Sequence, residues 1–466
     1  MILEERRAVA LIGHLTFGLL LVLAWAFAYE RMLYMDSAYH LFNLLQEGNL
    51  FYVEAQRYAG ILTRVLPVVL QRSGAGLSVV LVAYSLNFIL LYYGVWLLAL
   101  RIAGPGQRVL TLAVPLLLLA GLRESFYHPV AEIHQGLVWA ALLGVWLLGA
   151  ERAWPALKPW QYRVGAALLI GLCFFSHPVT GFVVGFAVLF AQHVRGRLPS
   201  AETALLLTFA LVPYLLKAWL TPSDSYEGDQ FAQLGTFATS LGRLTELYSF
   251  QFFLRESGYV HLPALLVLAG LCLHYLQHRQ TGRLVLVLGS TLVFWLVTLV
   301  VYHRGDSDIM MEKNFLPLSA FALLALVYEW PALSRREWLL GGVAVLLGGC
   351  LLGVFLRSDP YRARVDQLVQ LVADCRSQQV RKAVLVRSQP VADRLMVPWA
   401  LSVETLMLSS LKGPAAAQTV YLQDGAGAAR ELAHTTRPDQ LHFNPFRRQY
   451  HTHDLNPPDN PLPHRA

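Results

Sequence analysis

Long apolar runs broken by short polar connections set the pattern of this chain. Eleven such runs can be read: Ala8 to Ala28, Leu77 to Leu100, Val109 to Leu122, Ile133 to Ala150, Val164 to Phe175, Val179 to Gln192, Thr203 to Leu220, Val260 to Leu276, Leu284 to Val301, Phe315 to Val327 and Trp338 to Leu356. Most approach the roughly 17–25 residues that cross about 30 Å of hydrocarbon as a helix. The pattern predicts an all-α polytopic membrane protein with about eleven transmembrane helices. The first run ends in Ala26-Phe27-Ala28, similar to a signal-peptidase site. It exceeds the roughly 7–15 residues of a signal-peptide core and is expected to stay as a span. Two short runs meet at Ser176-His177-Pro178. Proline cannot continue a helix without losing a backbone hydrogen bond, so they are either two tilted helices or a broken pair lining a cavity.

The pattern changes after Leu356. Residues 1–357 form the membrane part, with an amphipathic outer loop at 29–76. Residues 358–433 mix helical periodicity (Val365, Leu368, Val369, Val372, then Leu401 to Leu411) with two β-like runs, Lys382 to Arg387 and Thr419 to Leu422. They predict a small α/β cap outside the cytoplasm. Residues 434–466, rich in His, Pro, Asn and Arg, are expected to be disordered.

Composition agrees with the membrane class. The chain is 56% hydrophobic and 14% charged, with mean hydropathy +0.47, which excludes an ordinary soluble enzyme. The net charge of +7 raises nucleic acid as a partner. The cations, however, sit in alternate short loops (Arg101 and Arg108; Arg152, Lys158 and Arg163; Arg195 and Arg197; Arg279 and Arg283; Arg335 and Arg336), where they set orientation in a lipid membrane. No nucleic acid is expected. The other loops collect acids such as Asp36, Glu124, Glu132, Glu227, Glu256 and Glu312. Both sets predict a cytoplasmic N-terminus and an extracytoplasmic C-terminus. The four cysteines show no metal or disulfide spacing.

Candidate chemistry gathers in the acidic loops. Asp36 and His40 lie four apart, on one face if helical, ahead of an amphipathic stretch (Leu41, Phe42, Leu44, Leu45) suited to a membrane surface. A surface pair or helix cap is the plainer alternative. Arg57 and Arg64 read as interfacial anchors that snorkel to headgroups, with a lipid phosphate as the alternative partner of either. The second loop holds His128, Glu132 and His134. Their spacing is poor for zinc, leaving a polar network around a cavity or plain capping. His177 stands at the Pro break, a structural histidine by default. The last outer loop carries Arg304, Lys313 and an Asp306-Ser307-Asp308 motif. That motif is a weak alternative for a divalent metal; the two cations suit a phosphate.

This plan of an acid just past the first span, further acidic and histidine-bearing outer loops, a late span opened by Glu312-Lys313-Asn314-Phe315-Leu316-Pro317, and a polar tail resembles the GT-C superfamily of polytopic glycosyltransferases. The nearest branches are the protein mannosyltransferases and aminoarabinose transferases. A single acid, Asp36, stands where the family often pairs two, and Lys313-Asn314-Phe315 where it often has Arg-Tyr. The resemblance implies a glycosyltransferase using a polyprenyl-phosphate-linked sugar, acting on a lipid, glycan or protein acceptor at the outer face of a bacterial inner membrane. Asp36 would be the general base, near lipid and so with raised proton affinity. His40, His128, Glu132, His134, His177, Arg304 and Lys313 would bind substrate, the cations or His177 receiving the phosphate charge. The resemblance fixes no cofactor and leaves a divalent metal open. A transporter or flippase-like protein, and another lipid-substrate enzyme such as a polysaccharide ligase, stand as alternatives.

Overall fold

The computed structural model describes residues 2–47, 50–51, 56–104, 107–130, 132–222, 225–303, 307–330, 333, 336–386, 395–423, 440–443 and 448–451. Each of the eleven apolar runs lies on helix. In chain order the helices are α1 (Ile2–Ala26), α2 (Ala28–Met32), α3 (Met35–Glu47), α4 (Val65–Arg72), α5 (Leu77–Ala103), α6 (Ala113–Leu119), α7 (Glu132–Ala153), α8 (Pro159–Phe174), α9 (Thr180–Val194) and α10 (Ala201–Leu220). There follow α11 (Tyr226–Gln233), α12 (Phe237–Leu241), α13 (Tyr248–Glu256), α14 (Leu262–Gln277), α15 (Thr281–Val301), α16 (Asp308–Phe315), α17 (Pro317–Glu329), α18 (Arg336–Leu356), α19 (Ser358–Ser377) and α20 (Leu401–Ser410). Among the described residues, eight helical stretches are long and apolar enough to cross a membrane. The runs at α6, α8 and α9 are shorter.

Helix α7 is the axis. It packs on α5, α6, α8 and α9, and 89% of its apolar stretch is enclosed by protein, as is that of α16–α17. The apolar stretches of α10, α14, α15 and α18 are only 22–28% enclosed and present Leu215, Trp219, Leu266, Val285, Trp338 and Val345 outward. So broad an apolar exterior is costly in water and suited to acyl chains. Two glycines let neighbours approach α7: a Cβ at Gly136 would lie 2.3 Å from Thr180 Cγ2, and one at Gly144 2.0 Å from the Tyr328 hydroxyl. Small residues serve this purpose in membrane bundles, where close backbone packing replaces the hydrophobic effect.

The two sets of loops separate to opposite ends. At the C-terminal end of α7, Arg195 pairs with Glu151 and donates to the Leu147 carbonyl at 2.9 Å, while Arg283 pairs with Glu329 at 2.7 Å. At its N-terminal end, Glu132 meets Arg57 at 2.8 Å. The helix between is about 33 Å long at 1.5 Å per residue. Helices α8 and α9 form an antiparallel hairpin around the Pro178 break: Arg195, just past α9, donates to the Tyr162 hydroxyl near the start of α8. His177 thus belongs to the acidic end.

Past α18 the chain builds an α/β unit. Strands β1 (Lys382–Val386) and β2 (Thr419–Gln423) pair in parallel, with α20 in the connection. Leu368, Leu385, Leu395, Leu401 and Val420 form its core. It does not stand off from the bundle. Helix α20 packs on α3, and Ala38, Tyr39, Leu41, Phe42 and Leu44 are buried. The amphipathic face read as a membrane-surface helix is therefore covered by protein, because a second apolar face 360 residues downstream in sequence reaches it. In the stretch expected to be disordered, β3 (Gln440–Phe443) and β4 (Arg448–His451) pair antiparallel; the rest of 434–466 lies outside the described residues.

Replacing Gly144 by Val is expected to force α17 away from α7 and to cost about 1–3 kcal/mol as overpacking. Thermal unfolding in detergent would read this as a lowered Tm, with Gly18→Val, which has open space, as the silent control.

Candidate functional site

The site begins with a strained turn. Met35 opens α3 with φ of 44°, a left-handed conformation costly for a residue with a side chain. What holds it comes from the α/β unit. Met35 N–H donates to Glu404 Oε1 at 2.8 Å, and Arg364, on α19, pairs with the other Glu404 oxygen. Arg364 also donates to the carbonyls of Leu33 at 2.8 Å and Leu395 at 3.0 Å, and its guanidinium lies over the Tyr34 ring. Both charged groups are buried. Burial pushes the Glu404 carboxyl above its ordinary range, against the opposing effects of Arg364 and the Met35 N–H.

The turn presents Asp36 to the second outer loop, where His128 Nε2 lies 2.9 Å from Asp36 Oδ2. His128 is wholly buried, while 26% of the Asp36 side chain remains accessible. Burial raises the Asp36 carboxyl. His128 beside it, with the charges of Lys313 and His40, more than offsets this and holds it well below the ordinary carboxylate range. The expectation of raised proton affinity is thus reversed, since His128, His40 and Lys313, not lipid, act on the group.

A second clamp fixes that loop against Lys313. Glu312, on α16, accepts from the backbone N–H groups of Arg123 (2.8 Å), Glu124 (3.0 Å) and Ser125 (2.9 Å), and from the Ser125 hydroxyl (2.8 Å). Its neighbour Lys313 is buried at the same end. Glu124 in turn accepts from Arg357 at 2.7 Å and Tyr361 at 3.3 Å, binding the loop to the junction of α18 and α19.

Beyond the dyad the charges continue. Arg57 bridges Glu132 (2.8 Å) and Glu227 (3.4 Å), and Lys217 meets Glu227 at 2.7 Å. Arg64 lies 3.4 Å from His40 Nδ1. Arg57 and Arg64 are therefore members of an enclosed network, not snorkelling anchors, because α11 and α7 bring carboxylates over Arg57 and α3 covers Arg64. A small cleft beside them is lined by Arg64, Tyr84, Glu132 and Gln135. His177 accepts from the Val179 N–H at 3.3 Å. Burial, then Arg57, Lys313 and Lys217, push its proton affinity well below the ordinary value. It can donate a hydrogen bond from its other nitrogen but not carry charge to a phosphate, as the sequence had suggested.

The structure thus brings Asp36, His40, His128, Glu132, His177 and Lys313 to one end. His134 stands behind, its Nε2 3.4 Å from the Ser125 hydroxyl. Asp308 is engaged elsewhere, with Tyr248 at 2.5 Å and Arg255 at 2.6 Å; Arg304 and Asp306 lie outside the described residues. Among the described residues, no three His, Cys, Asp or Glu side chains are grouped to hold a metal ion. Sequence reasoning missed Arg364, Glu404, Lys217 and the bracing role of Glu312. Only Glu312 left a signal, as an acid beside a cation at the opening of an apolar run. No family model, curated protein or solved structure gives a significant match to this chain.

Removing one partner of the buried pair, by Arg364→Met or Glu404→Met, should cost about 3–5 kcal/mol by leaving the other charge unpaired. The double replacement should lose much less than the sum, and chemical unfolding in micelles would measure the difference. The stabilising contribution of Asp36 follows its lowered folded-state pKa. It is complete above the ordinary carboxylate range near pH 4 and is lost as pH falls from there through the depressed value. The stability gap between the protein and Asp36→Asn should accordingly narrow as pH falls below about 4.

Proposed function

We propose that this chain is a GT-C-like integral membrane glycosyltransferase whose eleven helical passes put the Asp36 end outside the cytoplasm. The observation that carries the reading is a partly accessible carboxylate, Asp36, 2.9 Å from the buried His128 imidazole at the end of an apolar bundle where Lys313 is also buried. The donor is a sugar on a polyprenyl phosphate, its tail among the outward apolar helix faces and its headgroup at the network. The acceptor hydroxyl docks on Asp36. As its oxygen bonds to the anomeric carbon, its proton passes to the Asp36 carboxylate. The bond from that carbon to the phosphate oxygen breaks, and the electron pair leaves with the lipid phosphate. Lys313 meets the growing negative charge, and His177 offers a hydrogen bond.

The lowered pKa shapes this role. Asp36 needs no prior deprotonation at neutral pH, but it is a weaker base than a tuned catalytic carboxylate. Attack by the acceptor therefore depends on holding the hydroxyl in place and on leaving-group stabilisation. His128 positions Asp36 from behind. A transporter would be favoured by charges near the middle of the spans, whereas here they gather at one end.

In proteoliposomes supplied with radiolabelled polyprenyl-phosphate sugars, Asp36→Asn should lower transfer by at least about 100-fold without changing Tm at neutral pH by an amount that unfolds the protein. Lys313→Met should act similarly. Full transfer by a folded Asp36→Asn protein would remove Asp36 from the chemistry. Sidedness is checked separately: in a chain without native cysteines, Gln251→Cys should react with an impermeant maleimide from outside, and Arg279→Cys only from the cytoplasm.

A further inference from the structure

The contact between Asp36 and His128 joins two separate stretches of chain, the turn before α3 and the loop between α6 and α7. Helices α18 and α19 run past both. Val354, Arg357, Tyr361 and Arg364 follow one another at helical spacing and so share a face. The Val354 carbonyl accepts from the Tyr127 hydroxyl at 2.9 Å, and Arg357 donates to Glu124 at 2.7 Å. Both contacts hold the second loop. Arg364 serves the turn, donating to the Leu33 carbonyl at 2.8 Å.

Tyr361 stands between them and touches both. Its ring stacks on Tyr127, with centroids 4.2 Å apart and planes inclined by 13°. It meets Tyr34 edge to face at 5.5 Å and 84°, and its hydroxyl donates to Glu124 Oε2 at 3.3 Å. Tyr127 is the residue before His128, and Tyr34 stands two before Asp36. Tyr34 also lies edge-on to the His128 imidazole, at 6.4 Å and 86°. All three phenol rings are buried. In a close-packed interior a ring of that size leaves a void that its neighbours fill only by shifting. Here the shift would fall on the residues next to both members of the dyad, and a working constellation tolerates only about 0.5 Å of error.

We infer that Tyr361 is a positioning residue, whose ring is the wedge that keeps His128 against Asp36 while its hydroxyl is secondary. The wedge acts on the geometry of the dyad; what it contributes to transfer rests on the function proposed above.

A double-substitution cycle tests it, read by thermal unfolding of the full chain in dodecyl maltoside at pH 7. Asp36→Asn lowers Tm in the unaltered chain, because the carboxylate's contact with His128 is weakened. Tyr361→Leu, which removes the ring, should shrink that loss to about half or less. Tyr361→Phe, which keeps the ring, should leave it unchanged. A general packing role would lower Tm in every background and leave the Asp36→Asn step the same size. A full-sized step in Tyr361→Leu therefore overturns the wedge, as does a step shrunken equally by Tyr361→Phe. Should Tyr361→Leu fail to fold, Tyr127→Leu removes the stack from the other side, with the same two outcomes.

Transfer gives a second, separable readout. Burial alone would raise the Asp36 carboxyl; His128, then Lys313 and His40, hold it below the ordinary range. With His128 drawn off, the carboxyl rises, so the acid limb of transfer should move to higher pH in Tyr361→Leu and stay in place in Tyr361→Phe. An unmoved limb in a folded Tyr361→Leu protein overturns the wedge as well. If the unaltered chain shows no transfer at all, the proposed function fails and the Tm cycle alone decides the wedge.

Discussion

The buried pair of Arg364 and Glu404 is the interaction on which the site depends. It reaches from the α/β unit into the turn before α3, binding Leu33 through its carbonyl and Met35 through its N–H. Without those bonds the left-handed Met35 would relax, and Asp36 would leave His128. The pair is an expensive way to gain stability, since two charges give up water. Its effect is geometric: it holds one backbone conformation against others that an apolar contact would tolerate.

The same logic recurs across the acidic end. Glu312 gathers three consecutive N–H groups and a hydroxyl, so the loop carrying His128 cannot move without α16 and Lys313. Arg57 and Lys217 tie α7, α10 and α11 together through Glu132 and Glu227. Near lipid, each charge must find its counter-charge within the protein, and the outcome is a rigid rim at one end of the bundle. The opposite end keeps mainly peripheral pairs such as Arg195 with Glu151. A bundle rigid at one rim is suited to holding two reactants in register there.

The membrane class was legible because it rests on a local property. Twenty apolar residues in a row report a spanning helix whatever surrounds them, and every run read in this way lies on helix. The segregation of Arg195 and Arg283 from Glu132 and Glu227 was legible for a similar reason: alternating spans put alternate loops at opposite ends. Helix α19 and strands β1 and β2 lie where periodicity in Leu368 and Val372 and the β-like runs put them.

The site was legible in its members but not in its assembly. Asp36, His128 and Lys313 could be singled out as acids, imidazoles and cations in loops, yet nothing local says that His128 faces Asp36 or that Asp36 is held ionised. A pKa depends on charges brought near by folding, and these come from residues 92 and 277 positions further along. The amphipathic face of α3 was visible too, but whether lipid or α20 covers it is a question of tertiary contact. Sequence alone determined which segments seek an apolar solvent and which end each polar loop occupies, because both follow from composition over short windows. Only the fold decided the partners of each charge, since a buried charge is defined by its neighbours in space.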